Sequence, residues 1–384
     1  MFRGSLFISC LALALLLFSG ADRAFSAGHQ PQQVSDSDGE SRQVQRNIQR
    51  LPYAKPAYMV AYFEGGPHWE FSEIWAALLD ALAGSDHKRL IRFPEKYHYS
   101  PGWNLSESEY AAIARSIMAN PDIDMVVAMG SVASKALLTC NNGKKPVICL
   151  DVADPPLIGL VDPQTRAATA PNFIVDYVPD KWNKSIALLY TLLPFRKIGT
   201  MSSGTREGRT YSNSKELYEV GRERGFEIVV YEGLDPQATV ESCKKGIQEL
   251  MAQGIDALYV PAIQCFDPEL GDPALLFDIL HKNKVKTYAK DGRIPVAKGA
   301  LIGISTLNYQ YIGSFFSAAL LQHVSPDAKG NEVILPFEPR IYLNNATARR
   351  LGITFPVALL INVDGIYDDS LPRIKDWPSV YSSE

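Results

Sequence analysis

The chain has 384 residues, of which 46% are hydrophobic and 21% charged. It is long enough to bury a large core and to fold as two domains. A net charge of -4, a pI near 5.9 and the lack of a basic stripe or reader motif argue against a nucleic-acid partner.

Residues 1–27 read as a secretory signal. Arg3 supplies the positive start, Ser5 to Phe18 the apolar region, and Ala24-Phe25-Ser26 a small-x-small cleavage pattern with the cut near Ser26 or Ala27. The apolar run is short for a bilayer span. Cys10 sits inside it, too early for a lipoprotein box. The mature chain is therefore expected to be periplasmic or otherwise exported, and soluble. Residues 28–55 are rich in Gln, Ser, Asp and Arg and read as a flexible tether. Cys140, Cys149, Cys243 and Cys265 make no Cys-x-x-Cys pair, so a zinc site is not expected. Export permits disulfides between Cys140 and Cys149 and between Cys243 and Cys265, and four free thiols fit the sequence equally well.

Order is expected from Ala57. A strand over 57–63, a Gly65-Gly66-Pro67 turn and an amphipathic helix over 71–82 come first. A strand over 89–93 and an aromatic loop with Tyr97, His98, Tyr99 and Trp103 follow. Ser106 caps a helix over 107–118, with Glu109 at the capping-box position. Strands over 125–129, 146–150 and 173–178 complete a first series. A second begins with a helix over 182–193, a strand over 197–201 and a Gly/Ser loop over 202–212. It continues with helix 214–224, strand 226–231, helix 236–252, strand 257–260, helix 273–281 and strand 286–289. From Ala300 the chain adds a strand, a helix over 309–323 and a strand over 338–343.

This alternation predicts α/β architecture: two doubly wound parallel-sheet lobes joined by a multi-strand hinge. The first lobe is expected over 56–177 plus about 300–336, the second over 178–299 plus about 337–384. In such sheets ligands bind beyond the carboxyl ends of the strands. The stretch Asp124 to Leu137 shows the pattern well: a buried strand, Gly130 for a sharp turn, Ser131 as a helix N-cap, then a helix. Its free N–H groups suit a carboxylate, although an ordinary βα turn looks the same.

The tail from Pro339 to Pro356, PRIYLNNATARRLGITFP, resembles the closing motif of ABC-transporter substrate-binding proteins of the tryptophan/tyrosine type, where a strand ending Asn-Leu runs into Ala-Lys-x-Leu-Gly-Leu-x-Ile-Pro. Gly130 to Leu137 is similar to that family's Gly-Thr-Pro-Ala-Ala-x-Ala-Leu. Pro146 to Val161, with Asp151, Asp154-Pro155 and Gly159-Leu160-Val161, is similar to its strand, Asp-Pro turn and Gly-Leu-Val. Ala300 to Gly313 is similar to its Gly-Ala-Leu…Tyr-Tyr-x-x-Gly. Ser131-Val132 stands in place of Thr-Pro, and Asn308 in place of the first Tyr. The resemblance implies a type I periplasmic-binding-protein fold, capture of a small ligand, often an amino acid, and delivery to a membrane permease.

The candidate ligand-binding residues lie at strand ends. Gly66, His68 and Trp69 follow the first strand; Trp69 can stack on a ligand or fill the core. Gly130, Ser131 and Val132 are candidates for a carboxylate. Asp154 is a candidate for an ammonium group, or a plain turn former. Ser203 and Tyr211 lie in the loop over 202–212, where Arg206 or Arg209 can clamp an acid or stay solvated. Gln264 follows a later strand. Asp291 aligns with an acidic position of the family and suits a ligand's amino group, provided that it has a cationic partner. No His spacing indicates a metal, no motif calls for a cofactor, and Ser131 lacks the Gly-x-Ser-x-Gly elbow of a hydrolase. The expectation is a monomeric exported receptor without catalysis. A sensor subunit of the same fold and a secreted hydrolase are the rivals.

Overall fold

The computed structural model describes residues 57–84, 89–305, 309–323, 333–334 and 337–368. The signal segment 1–27, the tether 28–55 and Asn308 lie outside the described residues. All the described residues belong to one unit, Ala54–Glu384.

The first half runs β1 (Tyr58–Glu64), α1 (Trp69–Ala83), β2 (Ile91–Arg92), β3 (His98–Tyr99), α2 (Glu107–Ala119), β4 (Met125–Met129), α3 (Gly130–Thr139), β5 (Val147–Leu150) and β6 (Phe173–Tyr177). The second runs α4 (Lys181–Leu192), β7 (Lys197–Met201), α5 (Arg206–Ser212), α6 (Ser214–Arg224), β8 (Glu227–Tyr231), α7 (Val240–Ala252), β9 (Ala257–Val260), α8 (Pro273–Lys282), β10 (Lys286–Ala289), α9 (Arg293–Ala297) and β11 (Ile302–Ser305). Then come α10 (Tyr309–His323), β12 (Val333–Ile334), β13 (Arg340–Asn344), α11 (Asn345–Leu351), α12 (Val357–Leu360) and β14 (Gly365–Tyr367).

β4 and β5 are apolar and buried at every position, as strands covered on both faces must be. α2 starts with the expected capping box between Ser106 and Glu109. One sheet has the order β12-β6-β5-β4-β1-β2, with β3 also beside β1; the other runs β14-β13-β11-β10-β9-β7-β8. Pairing is parallel except between β11 and β13. In the second sheet one core cluster, built on Leu258, Val260 and Phe277, and another, built on Ala257, Tyr259 and Tyr288, pack on separate sets of helices. Alternation of side chains along β9 sends its odd and even positions into different clusters.

The chain crosses between lobes three times: after β6, after β11 and after β12. α10 returns to pack along α1. The return starts later than the boundary near residue 300 anticipated it, because β11 pairs with β10 and β13 and so belongs to the second sheet. The expected loop over 202–212 holds α5, capped by the Thr205 hydroxyl, which accepts from the Gly208 N–H. Cys243 and Cys265 form a disulfide, whereas Cys140 and Cys149 are free.

Candidate functional site

The carboxyl ends of both sheets meet at one cavity of about 540 Å³. The first lobe reaches it through the segments after β1, β4 and β5, the second through those after β7, β8, β9 and β10. β1 with β4, and β7 with β9, are the pairs at which strand order reverses, the usual crevice of an open α/β sheet.

His68 closes the β1 loop with an extended backbone and caps α1, its Nδ1 accepting the Glu70 N–H at 3.3 Å. Its Nε2 then faces Asp267 of the second lobe at 3.8 Å. Glu70 sits in the first turn of α1, where the helix dipole favours a carboxylate, and lines the cavity while buried. Phe71 extends to Gly130. There φ is +79°, and a Cβ would stand 2.5 Å from the ring, so only glycine fits. Trp103 lies on Gly66, where a Cβ would stand 2.9 Å from the ring, and its indole N–H donates to the Pro67 carbonyl at 2.9 Å.

After β5, Asp151 adopts φ +51° and donates its N–H to Asp176 Oδ2 at 3.1 Å. In the second lobe Lys290 and Asp291 follow β10, with Nζ and Oδ1 at 3.8 Å and both side chains buried. Lys290 Nζ lies 4.3 Å from the Trp182 ring centre, and Lys181 Nζ lies 4.5 Å from it. The Trp182 indole N–H donates across the lobes to the Ala153 carbonyl at 3.1 Å. Arg293 of α9 pairs with Glu73 of α1, a second link between lobes.

No family model and no curated protein matches the sequence. Solved structures match its fold. A domain from Streptococcus pneumonia in complex with L-Trp superposes with a TM-score of 0.62 at 19% identity, over 81% of this chain and 99% of that one. A ligand-free, open substrate-binding protein from Clostridium difficile gives 0.56 at 19%, over 81% and 100%. An ABC-transporter solute-binding protein from Agrobacterium vitis with bound allitol gives 0.52 at 12%, over 77% and 98%. The fold is that of the ABC-transporter solute-binding proteins.

Within this solute-binding fold His68, Gly130, Ser131, Val132, Ser203, Tyr211, Gln264 and Asp291 line the interlobe cavity. Gly66, Trp69 and Asp154 do not. Gly66 is the bed of Trp103, and Trp69 is buried beside His68. Asp154 Oδ1 accepts the Leu157 N–H at 3.0 Å and serves the turn; the acid that reaches the cavity after β5 is Asp151. Ser131 does not cap α3. Its hydroxyl accepts the Ala153 N–H at 3.1 Å and ties the β4 and β5 loops together. Arg209 is held by Glu232 through two contacts of 2.8 and 3.2 Å, away from any clamp on a ligand. The Arg206 side chain lies outside the described residues.

Glu70, Asp151, Asp267, Phe71, Trp103, Trp182 and Lys290 also line the cavity and were not among the ligand-binding candidates drawn from the sequence. Burial pushes the Glu70 carboxyl well above the usual carboxylate range, and the neighbouring Asp151 and Asp291 charges push the same way. Burial also raises Asp151, against the pull of Lys181. Lys290 is the cationic partner that Asp291 requires.

Proposed function

We propose that the chain captures a small solute for a membrane permease of an ABC importer, as an exported monomer without catalysis, and that the solute is an amino acid or a related carboxylate. One observation carries this reading: a cavity between the lobes is lined both by the first residues of α3 and by carboxylates from both lobes. The first N–H groups of α3 have no acceptor within the helix and suit a carboxylate. Glu70, Asp151 and Asp291 suit an ammonium group. Phe71, Trp103, Trp182 and Tyr211 add apolar faces to the same cavity. The volume falls in the range of roughly 300–1,000 Å³ typical of small-molecule sites. Fold neighbours hold L-Trp, allitol and D-arabinose, so the fold itself admits amino acids and polyols alike.

Contacts across the lobes, from Trp182 to Ala153 and from Arg293 to Glu73, describe how closure over the solute would be held. A thermal-shift screen of the mature chain against amino acids, other carboxylates and sugars tests the reading. A ligand at a hundred times its Kd stabilises by about 2.7 kcal/mol. An amino acid should raise the melting temperature, and Asp291→Ala should remove that rise. A response to sugars alone would defeat the amino-acid reading.

A further inference from the structure

The ionisable groups of the cavity are not balanced. Glu70, Asp151, Asp267 and Asp291 line its interior, and Lys290 is the buried cation among them. Lys290 is engaged by Asp291 and by the Trp182 ring. Lys135, the other lysine on the wall, has Glu107 at 2.9 Å near the rim, and no arginine lines the cavity among the described side chains, of which Arg206 is not one. Behind Asp151 lies one more buried carboxyl, Asp176, with Lys181 beside it.

Two of the acids have no close partner, although Lys290 and Lys181 pull on the Glu70 carboxyl from a distance. Among the described residues the Glu70 carboxyl has no hydrogen bond and no ion pair within 4.0 Å. Asp267 is 2% exposed, and only its Oδ1 is used, by the Glu269 N–H at 2.8 Å. Its Oδ2 is enclosed without a hydrogen bond. The nearest cationic candidate, His68 Nε2, stands at 3.8 Å, beyond hydrogen-bond reach, while Nδ1 of the same ring accepts the Glu70 N–H. A buried carboxylate without a partner is costly; burial favours the protonated form of Glu70, and the enclosed Asp267 Oδ2 is left for a charge brought from outside. Phe71, Trp103 and Trp182 add ring faces that attract cations.

We infer that the ligand carries a net positive charge: it is a basic amino acid or a small diamine, with its additional cationic group placed toward Glu70 and Asp267. The inference rests on the reading of the cavity as the solute site. Titration calorimetry of the mature chain at pH 7 and low salt compares L-lysine, L-arginine and putrescine with L-leucine, L-tryptophan and L-glutamate. At least one cationic probe should bind at least tenfold more tightly than every neutral or acidic probe. Preference for L-lysine over putrescine places a carboxylate at the α3 end; parity assigns a diamine. Tight binding of L-leucine or L-tryptophan without the cationic probes overturns the inference and leaves the solute-receptor reading standing. Binding of none of the six overturns both. Glu70→Gln and Asp267→Asn should each weaken the cationic probe at least tenfold, and Asp267→Asn should leave the unliganded melting temperature unchanged or higher, because it replaces a buried carboxylate whose Oδ2 has no hydrogen bond. An unchanged affinity in either folded variant contradicts the assignment of that acid.

Discussion

Asp176 allows the electrostatics behind the cavity to be measured. It lies near the carboxyl end of β6, is 8% exposed, accepts the Asp151 N–H on Oδ2 and has no partner on Oδ1. Burial pushes its carboxyl up to about 6 from the ordinary 3.8, with Lys181 pulling the other way. The folded chain therefore holds a proton that the unfolded chain has lost between those values. Stability contributed by this group falls as pH rises through that window and levels off above it. At 1.36 kcal/mol per tenfold change, the interval is worth about 3 kcal/mol. Asp176→Asn keeps a carbonyl oxygen for the Asp151 N–H and removes the charge. Urea unfolding of both chains at pH 4, 5, 6 and 7 should show the variant gaining about 2.4 kcal/mol on the parent across the series, most of it by pH 6. Parallel stability curves would refute the reasoning.

Gly130→Ala should cost about 2–5 kcal/mol, from left-handed backbone strain of about 1–2 and crowding of Phe71 of about 1–3; a urea midpoint shift worth less than about 0.5 would contradict this. Replacing Cys243 and Cys265 together by Ser opens a loop 22 residues long in sequence and should cost about 3 kcal/mol by chain entropy, read by the same melts. Cys149 is fully buried with its thiol pushed up to about 12, so it should resist a thiol-reactive dye until the chain unfolds. Trp103→Ala should weaken whatever ligand the thermal screen finds by at least tenfold, measured by calorimetry, with the apo fold retained because the ring lies at the cavity wall.

Much of the scaffold was legible because its signals are local and repeated. The buried runs at β4 and β5 and the capping box at Ser106 act through neighbours in sequence. The chain's return to the first lobe was misplaced by a few residues, since β11 is assigned by its pairing with β13, a contact between distant segments. The site divided in the same way. Strand ends pointed to Ser131, Gln264 and Asp291, and those residues do line the cavity. Yet which acid of the β5 loop points inward depends on the left-handed turn at Asp151 and its tie to Asp176, which no periodicity records. Asp154 carried the familiar Asp-Pro signal, and that signal meant a turn. Ser131 reads as a helix cap, but a distant N–H, that of Ala153, takes its oxygen. Glu70 and Trp182 sit at helix starts and looked like ordinary helix residues; they reach the cavity only because the two lobes face each other.

The central claim is that a small solute is held between the lobes by the Asp291 side of the cavity. Calorimetric titration of the mature chain with its best amino-acid or amine ligand, repeated on Asp291→Ala, tests this most directly. One site per chain in the parent, and at least a hundredfold weaker binding in a variant that melts cooperatively, is the predicted result. Equal affinity in parent and variant would place the ligand elsewhere and contradict the account.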